Sequence, residues 1–221
     1  MEMTPTMPVV IETRTGAGIA AILPDLARLR VTVFREWPYL YDGGDPAYEE
    51  RYLDVYVRSP AAAIVTAGDG GRIVGASSCL PLRDEMACIR APFAARGLDL
   101  DRFFYFGESV LLPAWRGQGL GVRFFAERER HARAGRADFA VFCAVRRPDT
   151  HPARPADAPS LHGFWRRRGF RPLPGVSCEL DWREPGDTAE RAHTLDFWIK
   201  PLQDTPVPPS LLPPDPEGFP S

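Results

Sequence analysis

Ser109-Val110-Leu111-Leu112-Pro113-Ala114-Trp115-Arg116-Gly117-Gln118-Gly119-Leu120-Gly121 is the stretch on which the fold turns. An apolar strand runs into Pro113, a turn follows, and glycines open an amphipathic run from Leu120 to Ala134. The start of such a helix carries backbone N–H groups with no intrahelical acceptor. Together with the helix dipole they form a seat for an anion, phosphate oxygens above all. Gly117, Gly119 and Gly121 suit that role, because side chains there would hold a pyrophosphate off the backbone. Arg116 offers a charge-assisted bond to the same group. A strand-to-helix turn by itself accounts for one of these glycines and not for all of them.

Other nucleotide loops fit less well. A P-loop continues from its last glycine into Lys and Ser or Thr, whereas Gly121 is followed by Val122-Arg123. A dinucleotide fingerprint has GxGxxG early in a βαβ unit, with an acidic residue about 20 positions later. Here the spacing is GxGxG, deep in the chain.

Outward from the loop, helical and strand-like segments alternate. Upstream, Val9 to Thr13 reads as a strand, and Pro24 opens a helix with Leu26, Leu29 and Val33 on one face. Asp45-Pro46 caps and starts a second helix carrying Tyr48, Tyr52, Val55 and Tyr56. Ala61 to Thr66 and Arg72 to Leu80 bracket Gly68-Asp69-Gly70-Gly71, a hairpin signal. Met86 to Leu100 is a helix or irregular insertion, and Phe103 to Leu112 is the strand leading into the loop. Downstream come a strand over Asp138 to Val145, a Pro-rich loop over Arg146 to Pro159, and a short helix over Leu161 to Arg168. Two last strands follow, Val176 to Trp182 and Thr194 to Ile199. Interleaved helices with hairpins near both ends predict an α/β fold in which helices flank a mixed sheet.

Bulk properties agree with one domain over 1–202. Pro201 to Ser221 is dense in proline and reads as a disordered tail over 203–221. The chain of 221 residues has a net charge of −2, which argues against wrapping nucleic acid. Cys79, Cys88, Cys143 and Cys178 form no CxxC pair, so neither a zinc site nor another metal is expected. Reduced thiols, no leader-like N-terminus and no apolar run of roughly 20 residues predict a cytoplasmic protein without a membrane span.

The segment VLLPAWRGQGLG resembles motif A of the GNAT superfamily of N-acetyltransferases, with Arg116, Gly119 and Gly121 in register with its Arg/Gln-x-x-Gly-x-Gly/Ala pattern. Asp138 to Val145 resembles the next core strand, and Phe164-Trp165-Arg166-Arg167-Arg168-Gly169-Phe170 resembles the closing helix motif. The stretch Phe34 to Gly43 is similar to uncharacterised bacterial members. The resemblance implies two parallel strands that splay apart, with acyl-CoA lying in the gap. Backbone groups of Val110, Leu111 and Leu112 would pair with the pantetheine arm. The pyrophosphate would rest on the amides of Gly117, Gln118, Gly119, Leu120, Gly121 and Val122, beside Arg116. The acceptor amine would attack the thioester directly.

Such an attack needs a group that takes a proton from the amine. Glu108 is the candidate base, on the strand before the loop and amid Phe104, Tyr105 and Phe106. A buried ion pair with an arginine is the competing role for the same residue. Many family members carry a tyrosine acid four positions before the glycine of Gly-Phe. Trp165 stands there, and an indole cannot serve. His162, Cys143 and Ser160 are the substitutes at hand, as is water. Trp37, Tyr39 and Tyr41 are candidate walls of an acceptor pocket, while the stripe Tyr48, Tyr52, Tyr56 reads equally as core. These readings predict an acetyl-CoA-dependent N-acetyltransferase acting on a primary amine of a small molecule or amino-acid derivative, with no nucleic-acid or membrane partner. A homodimer is compatible with it. The alternatives are a catalytically silent acyl-CoA-binding or regulatory protein, and an acetyltransferase of protein lysines or N-termini.

Overall fold

The computed structural model describes residues 9–43 and 46–213. β1 (Val10–Thr15) is followed by α1 (Ala17–Ala20), α2 (Leu23–Phe34) and α3 (Pro46–Arg58). Pro24 stands in the first turn of α2, where no backbone donor is needed, and Leu26, Leu29 and Arg30 form its buried face. Asp45, expected to cap α3, lies outside the described residues. β2 (Ala63–Asp69) and β3 (Arg72–Pro81) are joined by Gly70 and Gly71, both at positive φ (55° and 81°). Two left-handed residues are what the tightest hairpin turn demands.

α4 (Ala87–Ala94) precedes β4 (Phe103–Leu111), and α5 (Leu120–Ala134) connects β4 to β5 (Phe139–Val145). α5 has the bounds its sequence predicts: Gly119 stands at its N-cap, Gly135 at its C-cap, and His131 and Arg133 in the last turn complement the dipole. α6 (His162–Arg167), β6 (Arg171–Trp182) and β7 (Arg191–Pro201) complete the fold.

The strands form one seven-stranded sheet in the order β1-β2-β3-β4-β5-β7-β6. All neighbours are antiparallel except β4 and β5, which run parallel. α5 packs over β2, β3 and β4, α2 lies against β3 and β4, and α4 lies against β6. One core joins α1 to α4 with the strands; a second gathers Phe104, Phe106, Phe125, Phe142, Phe170 and Trp198. Among the described residues, no helix is long and apolar enough to cross a membrane.

Two expectations shift. β6 begins at Arg171 rather than Val176, with Pro172 and Pro174 inside it. Prolines are tolerated there because β6 is an edge strand, and its register with β7 slips between Pro172 and Ser177. Of the expected disordered tail, residues 203–213 are described, and Val207 and Leu211 are buried in the main core.

Candidate functional site

β4 and β5 pair at Phe103↔Phe139, Phe104↔Ala140 and Tyr105↔Val141 and then part. The rest of β4, to Leu111, keeps β3 on one side and leaves its other edge without a strand partner. The amide of Leu112 donates to the Val74 carbonyl (3.0 Å), so that group is committed to β3. By the alternation of an antiparallel ladder, the backbone groups of Ser109 and Leu111 therefore face the open side, whereas those of Val110 and Leu112, expected there from the sequence, face β3. The Leu111 carbonyl does so visibly, accepting from Arg116 Nε (3.0 Å).

Past the end of β4 lies the glycine loop. Gly117 (φ 78°) and Gly119 (φ 79°) are left-handed, and a Cβ on either would meet nothing within 4 Å. The loop is thus open to the outside, and the amides at the start of α5 have no side-chain cap. There is no acidic residue in the first turn of α5 to oppose an anion there. Gly121 lies closer to the core, where a Cβ would stand 3.5 Å from the Phe164 ring. Val122 is exposed, Arg116 Nη2 bonds Glu36 (3.0 Å), and Gln118 Nε2 bonds the Ala114 carbonyl (3.1 Å).

At the fork itself β4 carries a bulge. Ser77 pairs with Ser109 and Cys79 with Phe106, so the residues between Phe106 and Ser109 include one more than β3 supplies. A bulge re-aims side chains. Tyr105 and Glu108 would point to opposite faces of a regular strand, yet both line one cavity of about 60 Å³. α2 adds Arg30 and Phe34 to its wall, α3 adds Tyr48 and Tyr52, and the 39–41 segment adds Tyr39 and Tyr41. Cys143, Leu180, Trp182 and Leu195 close it from β5, β6 and β7.

Its charged groups form one network. Arg30 Nε donates to Glu49 Oε2 (2.8 Å) and Nη1 to Glu108 Oε1 (2.5 Å). Glu108 Oε2 accepts from Tyr56 (2.6 Å) and Ser78 (2.5 Å), while the Glu108 amide donates to Ser78 Oγ (2.9 Å). Glu49 Oε1 accepts from Tyr41 (2.7 Å). The guanidinium lies 3.9 Å from the centre of the Tyr52 ring. Burial works against charge on Arg30, but Glu108 and Glu49 outweigh it and hold the guanidinium well above its usual range. Tyr105 and Cys143 touch through Oη and Sγ (3.1 Å). Burial raises Tyr105; the Cys178 thiol, then burial, raises Cys143, so both keep their protons.

Glu108 thus lines the cavity and also forms the buried arginine pair that its sequence allowed. Tyr39 and Tyr41 line the cavity as expected, whereas Trp37 does not: its ring packs on His151, in the loop after β5 (5.3 Å). Trp165 packs on Phe142 and Trp198. His162 is exposed, rests on Trp165 and Trp198, and does not line the cavity; Cys143 does. Sequence reasoning missed Arg30, whose signal was a charge four residues after Leu26 and four before Phe34, on the apolar face of α2. Among the described residues no cluster of three or more His, Cys, Asp or Glu could hold a metal, and all four cysteines are free.

The sequence model of the acetyltransferase (GNAT) family matches residues 26–170, from α2 to the end of the closing motif. No curated protein matches the chain. Among solved structures it is similar to the ribosomal-protein-alanine N-acetyltransferase of Brucella melitensis, with 18% identity and a TM-score of 0.57, over 87% of this chain and 99% of that one. It is similar to aminoglycoside 6'-acetyltransferase type Ii with 13% identity and a TM-score of 0.52, over 89% and 99%. A Salmonella typhimurium structure with its cofactor acetyl-CoA gives 16% identity and a TM-score of 0.50, over 91% and 98%. At these identities the likeness is one of fold.

Proposed function

Since the chain belongs to the GNAT acetyltransferase family, we propose that it takes acetyl-CoA as its cosubstrate and moves the acetyl group to a primary amine of a small molecule. The observation that carries this reading is the fork: parallel strands that part after Tyr105↔Val141, with an open glycine loop beyond one and an aromatic-lined cavity at the branch. An extended pantetheine arm fits the unpaired edge of β4, bonding the backbone of Ser109 and Leu111. The pyrophosphate then rests on the free amides at the start of α5, with Arg116 beside it.

The cavity takes the acceptor. The bound ammonium first gives one proton through water to solvent. The neutral nitrogen then attacks the thioester carbonyl, a C–N bond forms, the C–S bond breaks, and the second proton lost by nitrogen ends on the sulfur. Glu108, bonded at both oxygens, acts as an anchor that polarises a cavity water rather than as a free base. Tyr105 and Cys143 stay protonated and offer hydrogen bonds to the departing sulfur. The free thiols support a cytoplasmic setting.

The test is thiol release from acetyl-CoA across a broad panel of small amines, with Glu108→Gln as control. We expect release with at least one amine and a large loss in the variant. CoA at about 100 times its Kd should also add about 2.7 kcal/mol of stability. CoA protection without release from any amine would favour a silent acyl-CoA-binding protein; no protection would overturn the whole reading.

A further inference from the structure

The cavity is lopsided in charge. Among the described residues, Arg30 is the one basic side chain lining it, and its charge is shared by two carboxylates, Glu49 and Glu108. Those three side chains are almost fully buried, so water does little to mask the surplus negative charge. At the rim, Tyr48 reaches the Asp181 carbonyl oxygen (3.5 Å) and feels the Asp181 and Glu190 carboxylates. Of the guanidinium groups outside the cavity, Arg147 pairs with Glu184 and Arg183 with Asp42. Arg128, buried over the Phe106 and Phe125 rings, feels Glu108 among several groups and offsets part of the surplus.

Around that charge stand two groups of aromatic rings. Tyr39 touches Phe34 (4.4 Å between ring centres) and Trp182 (6.0 Å), and Tyr48 touches Tyr41 (6.0 Å) and Tyr52 (6.2 Å). Ring faces attract cations, and the cavity already displays this, with Arg30 over Tyr52. A third carboxylate brought in by a substrate would meet a guanidinium twice satisfied and two like charges behind it. An ammonium would meet the opposite: the field of the two carboxylates and an aromatic lining. At about 60 Å³ the space holds a short, unbranched end of a molecule.

Resting on the amine-acetylating reading above, we infer that the acceptor is a short cationic aliphatic amine, mono- or diamine, with no carboxylate, and that amino acids are excluded by charge. The seat is formed by the Tyr39 and Tyr48 rings, with Glu49 and Glu108 supplying the field.

Calorimetry on the CoA-loaded full chain tests this with a matched set: butylamine, diaminobutane and γ-aminobutyrate. The two amines should bind at least about tenfold tighter than γ-aminobutyrate. Tyr48→Leu, at a half-buried position, should weaken diaminobutane at least about threefold while leaving CoA affinity unchanged. Equal or tighter binding of γ-aminobutyrate overturns the inference, as does no binding of either amine at about 10 mM, or a Tyr48→Leu variant that binds diaminobutane as before. The readout is binding of the amine alone. A chain that binds amines in this order but transfers no acetyl group refutes the enzymatic reading and not the charge preference.

Discussion

Tyr105 and Glu108 stand three residues apart on one strand and face the same cavity, which a regular strand forbids. The extra residue in β4 opposite Ser78 reverses the alternation between them. The space for that bulge exists because residue 107 is glycine. A Cβ there would fall 2.1 Å from Tyr56 Oη and 2.7 Å from Ser78 Oγ, the two hydroxyls that hold Glu108.

Gly107→Ala should therefore displace those hydroxyls and leave Glu108 short of partners. We expect a loss of roughly 2–3 kcal/mol in chemical denaturation. Acetyl transfer should fall far more than CoA affinity, since the glycine loop is untouched. Wild-type stability in this variant would mean that the bulge relaxes freely.

Arg30→Met removes the cation from between two buried carboxylates. Breaking a buried pair in this way costs about 3–5 kcal/mol, and here two acids are stranded at once. Adding Glu108→Gln should recover part of the loss. Urea melts of the two single variants and the double give the coupling directly; additive effects would refute a shared network.

Glu85 supplies a pH signature. Burial, chiefly, lifts its carboxyl from the ordinary 4.5 to about 7, and Oε2 has no hydrogen-bond partner. Between these values the unfolded chain has released the proton while the folded chain retains it. Stability should thus decline as pH rises from about 4.5 to 7, by up to roughly 3 kcal/mol, and level off above. In Glu85→Gln this part of the slope should vanish from a Tm-against-pH curve. An unchanged slope would place the titration elsewhere.

Gly119→Glu tests the loop. With φ at 79° the new residue is strained by about 1 kcal/mol, but its Cβ meets no neighbour, so the fold should persist. The added carboxylate stands where the pyrophosphate is placed, and CoA affinity should drop by at least about a hundredfold, read by calorimetry. Retained affinity would remove the loop from the cofactor site.

What could be read in advance follows the physics of each segment. α5 and the Gly70-Gly71 hairpin were legible because glycine chemistry and periodicity agree there. The start of β6, from Arg171 to Gly175, was hidden by Pro172 and Pro174, which forbid a central strand and are harmless at an edge. Arg30 was hidden because a charge on an apolar face signals a partner without naming it, and the partners are Glu49 in α3 and Glu108 in β4. The bulge left no mark in hydrophobicity, so strict alternation places Glu108 on the face of Phe104 and Phe106. Trp37 was grouped with Tyr39 and Tyr41 by proximity in the chain, but the loop after β5 supplies its contact.

The segment proposed to grip the cofactor, from β4 into α5, and the segments proposed to choose the acceptor, from α2, residues 39–41 and α3, meet at that one inserted residue. Substitutions on the aromatic side can therefore drift without disturbing the glycine loop. A lineage built this way can exchange one amine for another by repainting the wall around a fixed chemical step, and an engineer seeking a new acceptor should begin at Phe34, Tyr39 and Tyr48 and leave Gly107 alone.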